Sequence, residues 1–359
     1  MEFIIQDALK STENNYSEEE FQVGTAKMKV IGAGGAGTNI ASWLYRKGIQ
    51  GAEVIICNTD KQHLDMSQAD RKILIGKELT RGLGCGGWLE RGREAAKESI
   101  TELREVLKGS DMVFICAGMG GGTGTGAAPV IAQIAKEQGA IVIATVTMPF
   151  DIERARCDKA EFGLQELRQV VDTAIVIDNN RLSMIAGKLP LQQAFAVANE
   201  LLSTMIKSIV ETIAIPSLVN LDYADVKTIM TNGDVSAIGL GESASDNRVE
   251  EAVKRALSNP LLDISYEGAT GALIHITGGE DLLLDDIEKV GKMVTDKLDP
   301  DAQVIWGARI DPTMSGKLRV MTITTGVKSP YILGKVDRAK QQHEKAHHMS
   351  RELGIDMIK

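Results

Sequence analysis

The feature that most constrains this chain is a run of nine residues containing six glycines, Gly118–Gly126, spelled GMGGGTGTG. The run follows the apolar segment Met112–Ala117 and precedes Ala127–Glu137, whose apolar residues recur at helical spacing. Glycine loses more backbone entropy on folding than other residues, so such a cluster needs a reason. Between a strand and a helix, glycines let the backbone approach an anion bound at the helix N-terminus. The run therefore predicts a phosphate-binding loop.

The predicted phosphate-binding loop contains no lysine, so the Walker pattern G-x-x-x-x-G-K-[ST] is absent. Backbone N–H groups would supply most of the binding, and the hydroxyls of Thr123 and Thr125 would add donors.

Two further glycine loops precede helical segments. Gly32–Asn39 (GAGGAGTN) matches G-x-G-x-x-G, and Asp60 lies 23 residues beyond Gly37. Alone, this pattern is typical of dinucleotide binding and leaves an NAD(P)-binding oxidoreductase as an alternative. The third loop is Gly82–Gly87 (GLGCGG). Three such loops at the carboxyl ends of one sheet suit a triphosphate better than a pyrophosphate bridge.

Short apolar strands alternate with helices in the first half of the chain, which predicts a parallel sheet covered on both faces. The predicted strands are Met28–Ile31, Val54–Cys57, Arg71–Ile75, Met112–Ala117, Ala140–Thr147 and Thr173–Ile177. The predicted helices include Glu90–Leu107, Ala127–Glu137, Lys159–Val171 and the long Leu191–Ile213.

After the long helix the pattern changes to an α+β unit with a mixed sheet of about four strands. Asp225–Met230 is predicted as a strand or a short helix. The other predicted elements are the helices Asn247–Leu257 and Asp285–Leu298 and the strands Gly271–Thr277, Val304–Ile310 and Leu318–Thr325.

Composition excludes several classes of protein. The chain carries 40 basic and 49 acidic side chains and only 14 aromatic residues in 359, which argues against a nucleic-acid partner. Its four cysteines form no CxxC pair, which argues against a zinc or thioredoxin-like site and fits a reducing compartment. His343 and His347 are four residues apart, a spacing more typical of a solvated helix than of a metal site. No apolar run spans a membrane and no secretory signal is evident, so we expect a soluble, cytoplasmic protein.

Seven motifs follow one another along the chain: GAGGAGTN at 32–39, NTD at 58–60, GLGCGG at 82–87, GGGTGTG at 120–126, MPF with Glu153, DNNRL with AFAVAN at 178–199, and NLDYADV at 220–226. In order and spacing they resemble the motifs of the tubulin/FtsZ family, and the resemblance covers about residues 28–326. Asp225, where tubulins typically carry Glu, points to the FtsZ branch, and the residues around the motifs suggest an archaeal member.

The resemblance implies an α/β fold of the tubulin/FtsZ type: a Rossmann-like parallel-sheet GTPase domain, a long connecting helix and a smaller α+β domain with a mixed four-stranded sheet. The implied domains are a GTP-binding domain (28–190), the connecting helix and catalytic loop (191–235) and the C-terminal domain (236–330). The composition of the two ends predicts a mobile acidic extension (1–27) and a polar tail (331–359). The implied function is a cell-division GTPase that polymerises head to tail and forms the division ring.

The resemblance also implies which residues hold GTP or GDP. Carboxylates suit ribose hydroxyls, aromatic rings stack on purines and amides pair with the guanine edge. The implied phosphate contacts are Gly34, Gly35 and Asn39; Gly120, Gly121, Gly122, Thr123, Gly124, Thr125 and Gly126; and, at the γ-phosphate, Gly84, Cys85, Gly86 and Gly87. Glu153 would hold the ribose, and Asn179, Phe195 and Asn199 the guanine.

One position departs from the family pattern of Glu followed four residues later by Arg. Cys157 occupies that spacing here, and Arg156 lies three residues after Glu153. We expect Arg156 to contact the nucleotide, with Arg154 as the alternative. The third loop also carries Trp88-Leu89 where Asn-Pro is common.

Catalysis is implied to be shared between two molecules. Asn220, Asp222 and Asp225 would reach the nucleotide of the next subunit, and the two carboxylates would orient the attacking water. Without the other motifs, a helix cap and a surface charge would be the simpler interpretation of the two aspartates. Mg²⁺ would bind mainly through the phosphates, with a monovalent cation as a further candidate, and no metal-ligating side chain is predicted.

The expected partners are further copies of the chain and, at the apolar end Leu353–Lys359, membrane-tethering or division proteins. We expect the protein at the division site, with no membrane span of its own. The remaining alternatives are a tubulin-like cytoskeletal paralogue that controls cell shape and, less favoured, the NAD(P)-binding oxidoreductase.

Overall fold

The computed structural model describes residues 26–231, 234–258, 265, 266 and 268–328. Most of the predicted acidic extension and the predicted tail, with His343, His347 and Leu353–Lys359, lie outside the described residues. In the part of the chain that is described, no helix is both long enough and apolar enough to cross a membrane.

Six parallel strands form the N-terminal sheet in the order β3-β2-β1-β4-β5-β6. Nearly every residue of the central strands is buried, as expected for a sheet covered on both faces. All six predicted strands are confirmed. They are β1 (Met28–Ala33), β2 (Ala52–Asn58), β3 (Arg71–Leu74), β4 (Met112–Gly118), β5 (Ile141–Met148) and β6 (Thr173–Asp178).

Helices cover both faces of this sheet. One face packs against α1 and α9 through residues such as Leu44 and Leu202, and the other packs against α4 to α7 through residues such as Leu103 and Ile131. The helices are α1 (Gly34–Lys47), α2 (Lys61–Met66), α3 (Lys77–Thr80), α4 (Leu89–Glu98), α5 (Ile100–Leu107), α6 (Thr123–Glu137), α7 (Ala155–Arg168), α8 (Asn179–Ala186) and α9 (Leu191–Ala214).

A mixed four-stranded sheet follows, in the order β7-β10-β8-β9, with two antiparallel pairings and one parallel pairing. Strand β7 also pairs with β6 through two residue pairs, so the two sheets are continuous. The elements are α10 (Tyr223–Met230), β7 (Asp234–Ser243), α11 (Arg248–Leu257), β8 (Gly271–Gly278), α12 (Leu284–Thr295), β9 (Gln303–Ile310) and β10 (Leu318–Thr325).

The fourth strand of the mixed sheet is β7, which the sequence analysis did not predict; Asp225–Met230 belongs to helix α10. Glycines at Gly239 and Gly241 lower the strand propensity of β7 and hide its pattern. Their role is packing, because a Cβ at either position would overlap a carbonyl oxygen of α11.

Several predicted helices have different bounds. Helix α7 starts four residues before the predicted Lys159 and ends at Arg168, and α12 ends at Thr295 instead of Leu298. Glu90–Leu107 is not one helix but two, α4 and α5, which meet at Ser99. The Ser99 hydroxyl accepts a hydrogen bond from the N–H of Gly76 (3.2 Å), which ties the junction to the segment before α3. Helix α6 starts at Thr123, four residues before the predicted start, so part of the glycine run is itself helical.

Three of the four cysteines are buried and all four are free thiols. Burial raises the pKa of the Cys57 and Cys116 thiols to about 12. These two residues therefore act as small core side chains.

Candidate functional site

Two adjoining cavities lie at the carboxyl edge of the parallel sheet. The larger, about 850 Å³, lies between α1, α2 and the start of α9, and the smaller, about 290 Å³, lies over the loop after β4. Both have walls formed by Gly35, Ala36, Thr147 and Asn179. The two cavities therefore form one elongated space that runs from the glycine loop to the first turns of α9.

The smaller cavity brings together much of the predicted phosphate site. The predicted residues that line it are Gly35, Gly121, Gly122, Thr123, Gly124, Glu153, Arg156 and Asn179. Thr125 and Gly126 are not in the lining: both are buried in α6, and a Cβ at Gly126 would overlap the carbonyl oxygen of Leu89 in α4.

The loop glycines fall into two groups. Gly121 faces open space, with nothing within 4 Å of a Cβ built there, and a Cβ at Gly35 would meet only His63 Cε1 at 4.0 Å. By contrast, a Cβ at Gly34 would lie 2.6 Å from the backbone nitrogen of Gly124. The first group leaves backbone accessible to a ligand, and the second lets two loops pack against each other.

The third loop abuts the phosphate loop from the side, and Gly84, Cys85, Gly86 and Gly87 line neither cavity. Cys85 is buried, with its Sγ 3.4 Å from Thr59 Oγ1. The Thr59 hydroxyl is in turn 2.7 Å from the Thr123 hydroxyl. Thr59 therefore links the third loop to the phosphate loop, a role that its position in the NTD motif alone does not reveal.

Lys159 also supports the third loop and was missed by sequence reasoning. Its ammonium donates a hydrogen bond to the Gly87 carbonyl (3.0 Å) and lies 5.7 Å from the centroid of the Trp88 ring. Trp88 immediately precedes α4 and is 67% exposed. A long-range contact of this kind leaves no local pattern in the sequence.

The larger cavity contains the residues predicted to hold a base. Asn179, Phe195 and Asn199 line it together with Asn39. The Phe195 ring is 40% exposed and makes an edge-to-face contact with Phe150, with 6.3 Å between centroids and a 69° angle between planes. The exposed part of the ring can therefore pack against a planar ligand.

His63 in α2 is a lining residue that the sequence analysis did not single out. Its Nε2 lies 3.0 Å from Asn39 Oδ1, and its Nδ1 lies 3.1 Å from Asn58 Nδ2. Asp60, the acid of the dinucleotide alternative, caps α2 by accepting a hydrogen bond from the His63 N–H (3.1 Å), and it lines neither cavity.

Glu153 and Arg156 stand together at the smaller cavity. One Glu153 oxygen accepts from the Phe150 N–H (3.0 Å), and the other accepts from Arg156 Nη1 (2.7 Å). Arg154 has a left-handed backbone (φ 43°) and lines neither cavity. The structure thus brings Arg156, not Arg154, to the candidate site.

Asn220, Asp222 and Asp225 lie elsewhere. Asp222 Oδ1 accepts from the Asp225 N–H (2.8 Å), and Asp225 Oδ2 accepts from the Asp222 N–H (3.3 Å), so the two carboxylates cap α10 reciprocally. Asn220 Oδ1 accepts from the Ser217 N–H (2.6 Å). None of the three lines either cavity.

The position of this loop follows from one contact. The Tyr223 hydroxyl donates to the carbonyl of Asp111 (2.8 Å), the residue before β4. The glycine loop follows the other end of β4, and seven residues of strand span about 20 Å. The aspartate loop and the cavities are therefore at opposite edges of the same sheet.

Comparison with known proteins gives two family matches. Residues 27–187 match the model of the Tubulin/FtsZ family, GTPase domain, and residues 234–328 match that of the FtsZ family, C-terminal domain. The chain is 53% identical to cell division protein FtsZ 2 of Methanocaldococcus jannaschii over 365 residues, covering 99% of this chain and 96% of that protein.

Two solved structures are also similar. An empty FtsZ dimer from M. jannaschii superposes with a TM-score of 0.78 and 47% identity, covering 90% of this chain and 92% of that one. A GTPγS-bound protofilament of CetZ2 from Haloferax volcanii gives a TM-score of 0.75 and 25% identity, covering 89% and 99%.

Proposed function

The chain belongs to the tubulin/FtsZ family, as a cell-division GTPase of the FtsZ branch, and we propose that two subunits stacked head to tail complete each of its active sites. The observation that carries this proposal is the separation of the candidate site into two halves. The nucleotide cavity lies at the carboxyl edge of the parallel sheet, and Asp222 and Asp225 lie near its amino edge.

A second copy placed above the first along the strand direction brings the two halves together. Such a contact uses different surfaces on the two copies, so it repeats without closing and gives a filament. The solved relatives support this arrangement, because one is a dimer and another is a protofilament.

In this proposal the residues of one subunit hold GTP. The backbone of the glycine loops binds the phosphates, Glu153 holds the ribose, and Arg156 leaves its pairing with Glu153 to contact a phosphate. The full proposed set, of residues that contact the nucleotide or shape the loops that do, is Gly34, Gly35, Asn39, Gly84, Cys85, Gly86, Gly87, Gly120, Gly121, Gly122, Thr123, Gly124, Thr125, Gly126, Glu153, Arg156, Asn179, Phe195 and Asn199.

The observed surfaces fit a nucleoside triphosphate. No neighbouring group covers the backbone at Gly35 and Gly121, and a Cβ at either position would occupy the space proposed for the ligand. The exposed part of the Phe195 ring can pack against a purine. Thr125 and Gly126 would act indirectly, by shaping the start of α6, whose N-terminal N–H groups favour an anion.

The adjacent subunit contributes the side chains that bind the attacking water. Its Asp222 and Asp225 accept hydrogen bonds from that water and orient it in line with the γ-phosphate, while Asn220 holds the loop in place. The bond from phosphorus to the β–γ bridging oxygen breaks, giving GDP and phosphate. We propose that Mg²⁺, bound mainly through phosphate oxygens, neutralises the developing charge, with a monovalent cation as a further candidate.

We propose that residues 28–190 bind the nucleotide, that 191–235 connect the domains and carry the catalytic loop, and that 236–330 form the C-terminal domain.

We propose that the protein acts at the division site and that Leu353–Lys359, outside the described residues, docks membrane-tethering or division proteins. Deleting 353–359 should leave polymerisation intact and abolish partner binding; unchanged binding would refute this docking role.

The test of the proposed function mixes the purified protein with GTP, GDP or NADH and follows light scattering and phosphate release. We expect scattering only with GTP, and turnover per molecule that rises steeply with protein concentration. A specific activity independent of concentration would contradict catalysis between subunits.

A further inference from the structure

The first three turns of α9 carry Phe195 and Asn199 but pack only weakly against the core. The residue before the helix, Pro190, makes no side-chain cap, and Leu191 is 72% exposed. Helix starts fray because their first N–H groups lack helical partners. Burial begins at Ala198, and Leu202 is the first fully buried residue of the helix. Hydrophobic packing alone therefore leaves the orientation of the proposed base-binding residues loosely determined.

A polar contact compensates for this weakness at the residue next to Asn199. The Glu200 carboxylate accepts a hydrogen bond from Trp43 Nε1 (2.7 Å) and forms an ion pair with the Lys47 ammonium, and both partners are in α1. The hydrogen bonds from Lys47 and then Trp43 lower the pKa of Glu200. Charge-assisted hydrogen bonds of this type are stronger than neutral ones. We refer to Trp43, Lys47 and Glu200 as the α1–α9 clamp.

The clamp lies beside the cavity. Trp43 lines the same cavity as Phe195 and Asn199, and the Arg46 guanidinium lies 5.0 Å from the centroid of its ring. Helix α1 starts at Gly34 in the first glycine loop. The clamp thus joins the helix that begins at the phosphate site to the helix that carries the proposed base site.

Other contacts join the same helices farther from the base site. The Ser203 hydroxyl donates to the Ile40 carbonyl (3.2 Å), and Lys207 donates to the Gly48 carbonyl (2.8 Å). Lys207 lies seven residues beyond Glu200, about 10 Å along the helix. These contacts hold the middle of α9, and the clamp is the interhelical polar contact adjacent to Asn199.

We propose that the α1–α9 clamp is a positioning device that sets Phe195 and Asn199 for guanine and so determines the selectivity of the site for guanine over hypoxanthine. The inference rests on the proposed roles of Phe195 and Asn199. Hypoxanthine lacks the 2-amino group of guanine, so the two bases differ only at the position where guanine donates a hydrogen bond to an amide oxygen. Selectivity is the difference between the binding free energies of the two nucleotides, and it depends on where the Asn199 side-chain amide is held.

The test measures the dissociation constants of GTP and ITP for the full chain and for Trp43→Phe, Glu200→Gln and the double variant. Trp43→Phe keeps an aromatic ring and removes the N–H donor. We expect each variant to lower the preference for GTP over ITP about fivefold to tenfold, the value of one hydrogen bond. Because the two residues act through one contact, the double variant should lose little more than either single variant.

The control is Lys207→Gln, which removes a contact between the same two helices away from the base. It should keep the wild-type ratio of GTP to ITP affinity. In all variants, kcat at saturating GTP should remain within about twofold of wild type, because the carboxylates that act on the water come from another loop.

An equal loss of affinity for GTP and ITP, or a fall in kcat with the selectivity kept, would overturn the positioning role. If the wild-type protein bound neither nucleotide, the proposed function itself would be wrong. The failure of the proposed function is distinguishable from that of the positioning role, because it is observed in the wild-type protein without any substitution.

Discussion

Glycines that look equivalent in the run GMGGGTGTG have different neighbours in the folded chain. Gly121 faces the cavity with open space around it, whereas Gly126 packs against the backbone of α4. Packing against α4 explains Gly126 without any ligand, whereas glycine at position 121 is explained only if a ligand binds beside it.

This difference predicts opposite effects of the same substitution. Gly121→Ala should weaken GTP binding, because the added methyl group occupies ligand space, while the free energy of unfolding changes by less than about 1 kcal/mol. Gly126→Ala should cost about 1–3 kcal/mol of stability through overpacking. Urea unfolding and nucleotide titration of both variants test this; equal stability losses would refute the distinction.

His275 is a buried titratable residue outside the candidate site. It lies in β8, is 5% exposed, and its Nε2 has no hydrogen-bond partner. Burial first, and the charge of Arg309 second, lower its pKa from 6.5 to about 4. The folded protein therefore holds this imidazole neutral where the unfolded chain would protonate it.

A lowered histidine pKa makes stability fall as the pH drops from about 6.5 towards 4, because only the unfolded chain takes up the proton in that window. Between pH 7.5 and 5.0 this residue should cost about 2 kcal/mol. The check is urea unfolding of wild type and His275→Leu at both values. Wild type should lose more stability than the variant, and identical losses would exclude His275 as the cause.

At the scale of elements, the start of α10 has an observed structural role and a proposed catalytic one at the same residue. Asp222 caps the helix, as the simpler interpretation of the sequence suggests, and its carboxylate remains exposed, as the proposed catalytic role requires. Sequence alone cannot separate the two roles, since the cap is local and catalysis depends on another subunit.

Two substitutions at Asp222 separate these roles. Asparagine retains an oxygen that caps the helix, and alanine does not; loss of the cap costs about 1 kcal/mol. We expect both Asp222→Asn and Asp222→Ala to bind GTP and to lose hydrolysis, with only the alanine variant less stable. Thermal unfolding, nucleotide binding and phosphate release are the measurements. Full hydrolysis by Asp222→Asn would show that the residue is only a cap.

The elements that sequence reasoning identified are those with a strong local pattern. Strand β4 is a continuous apolar run, and the phosphate loop between β4 and α6 is visible in its glycines. Strand β7 was missed because Gly239 and Gly241 serve a tertiary contact with α11. The contacts of Thr59, His63 and Lys159 join residues from separate loops and helices, and only the folded chain brings them together.

At the scale of the whole molecule, α9 relates the two halves of the proposed active site. It has 24 residues and is about 36 Å long, with Phe195 and Asn199 near its start and the aspartate loop after its end. The molecule therefore has two different ends, one with the cavity and one with the carboxylates. That polarity is what a head-to-tail filament requires.

The central claim is that the carboxylates of one subunit act on the GTP of another, and a mixing experiment tests it most directly. Asp222→Asn chains should bind GTP but lack the catalytic carboxylate. Gly121→Phe chains should fill their own cavity and keep an intact loop. Each variant alone should show little phosphate release. We predict that the mixture hydrolyses GTP well above the sum of the two; a mixture no more active than that sum would contradict the account.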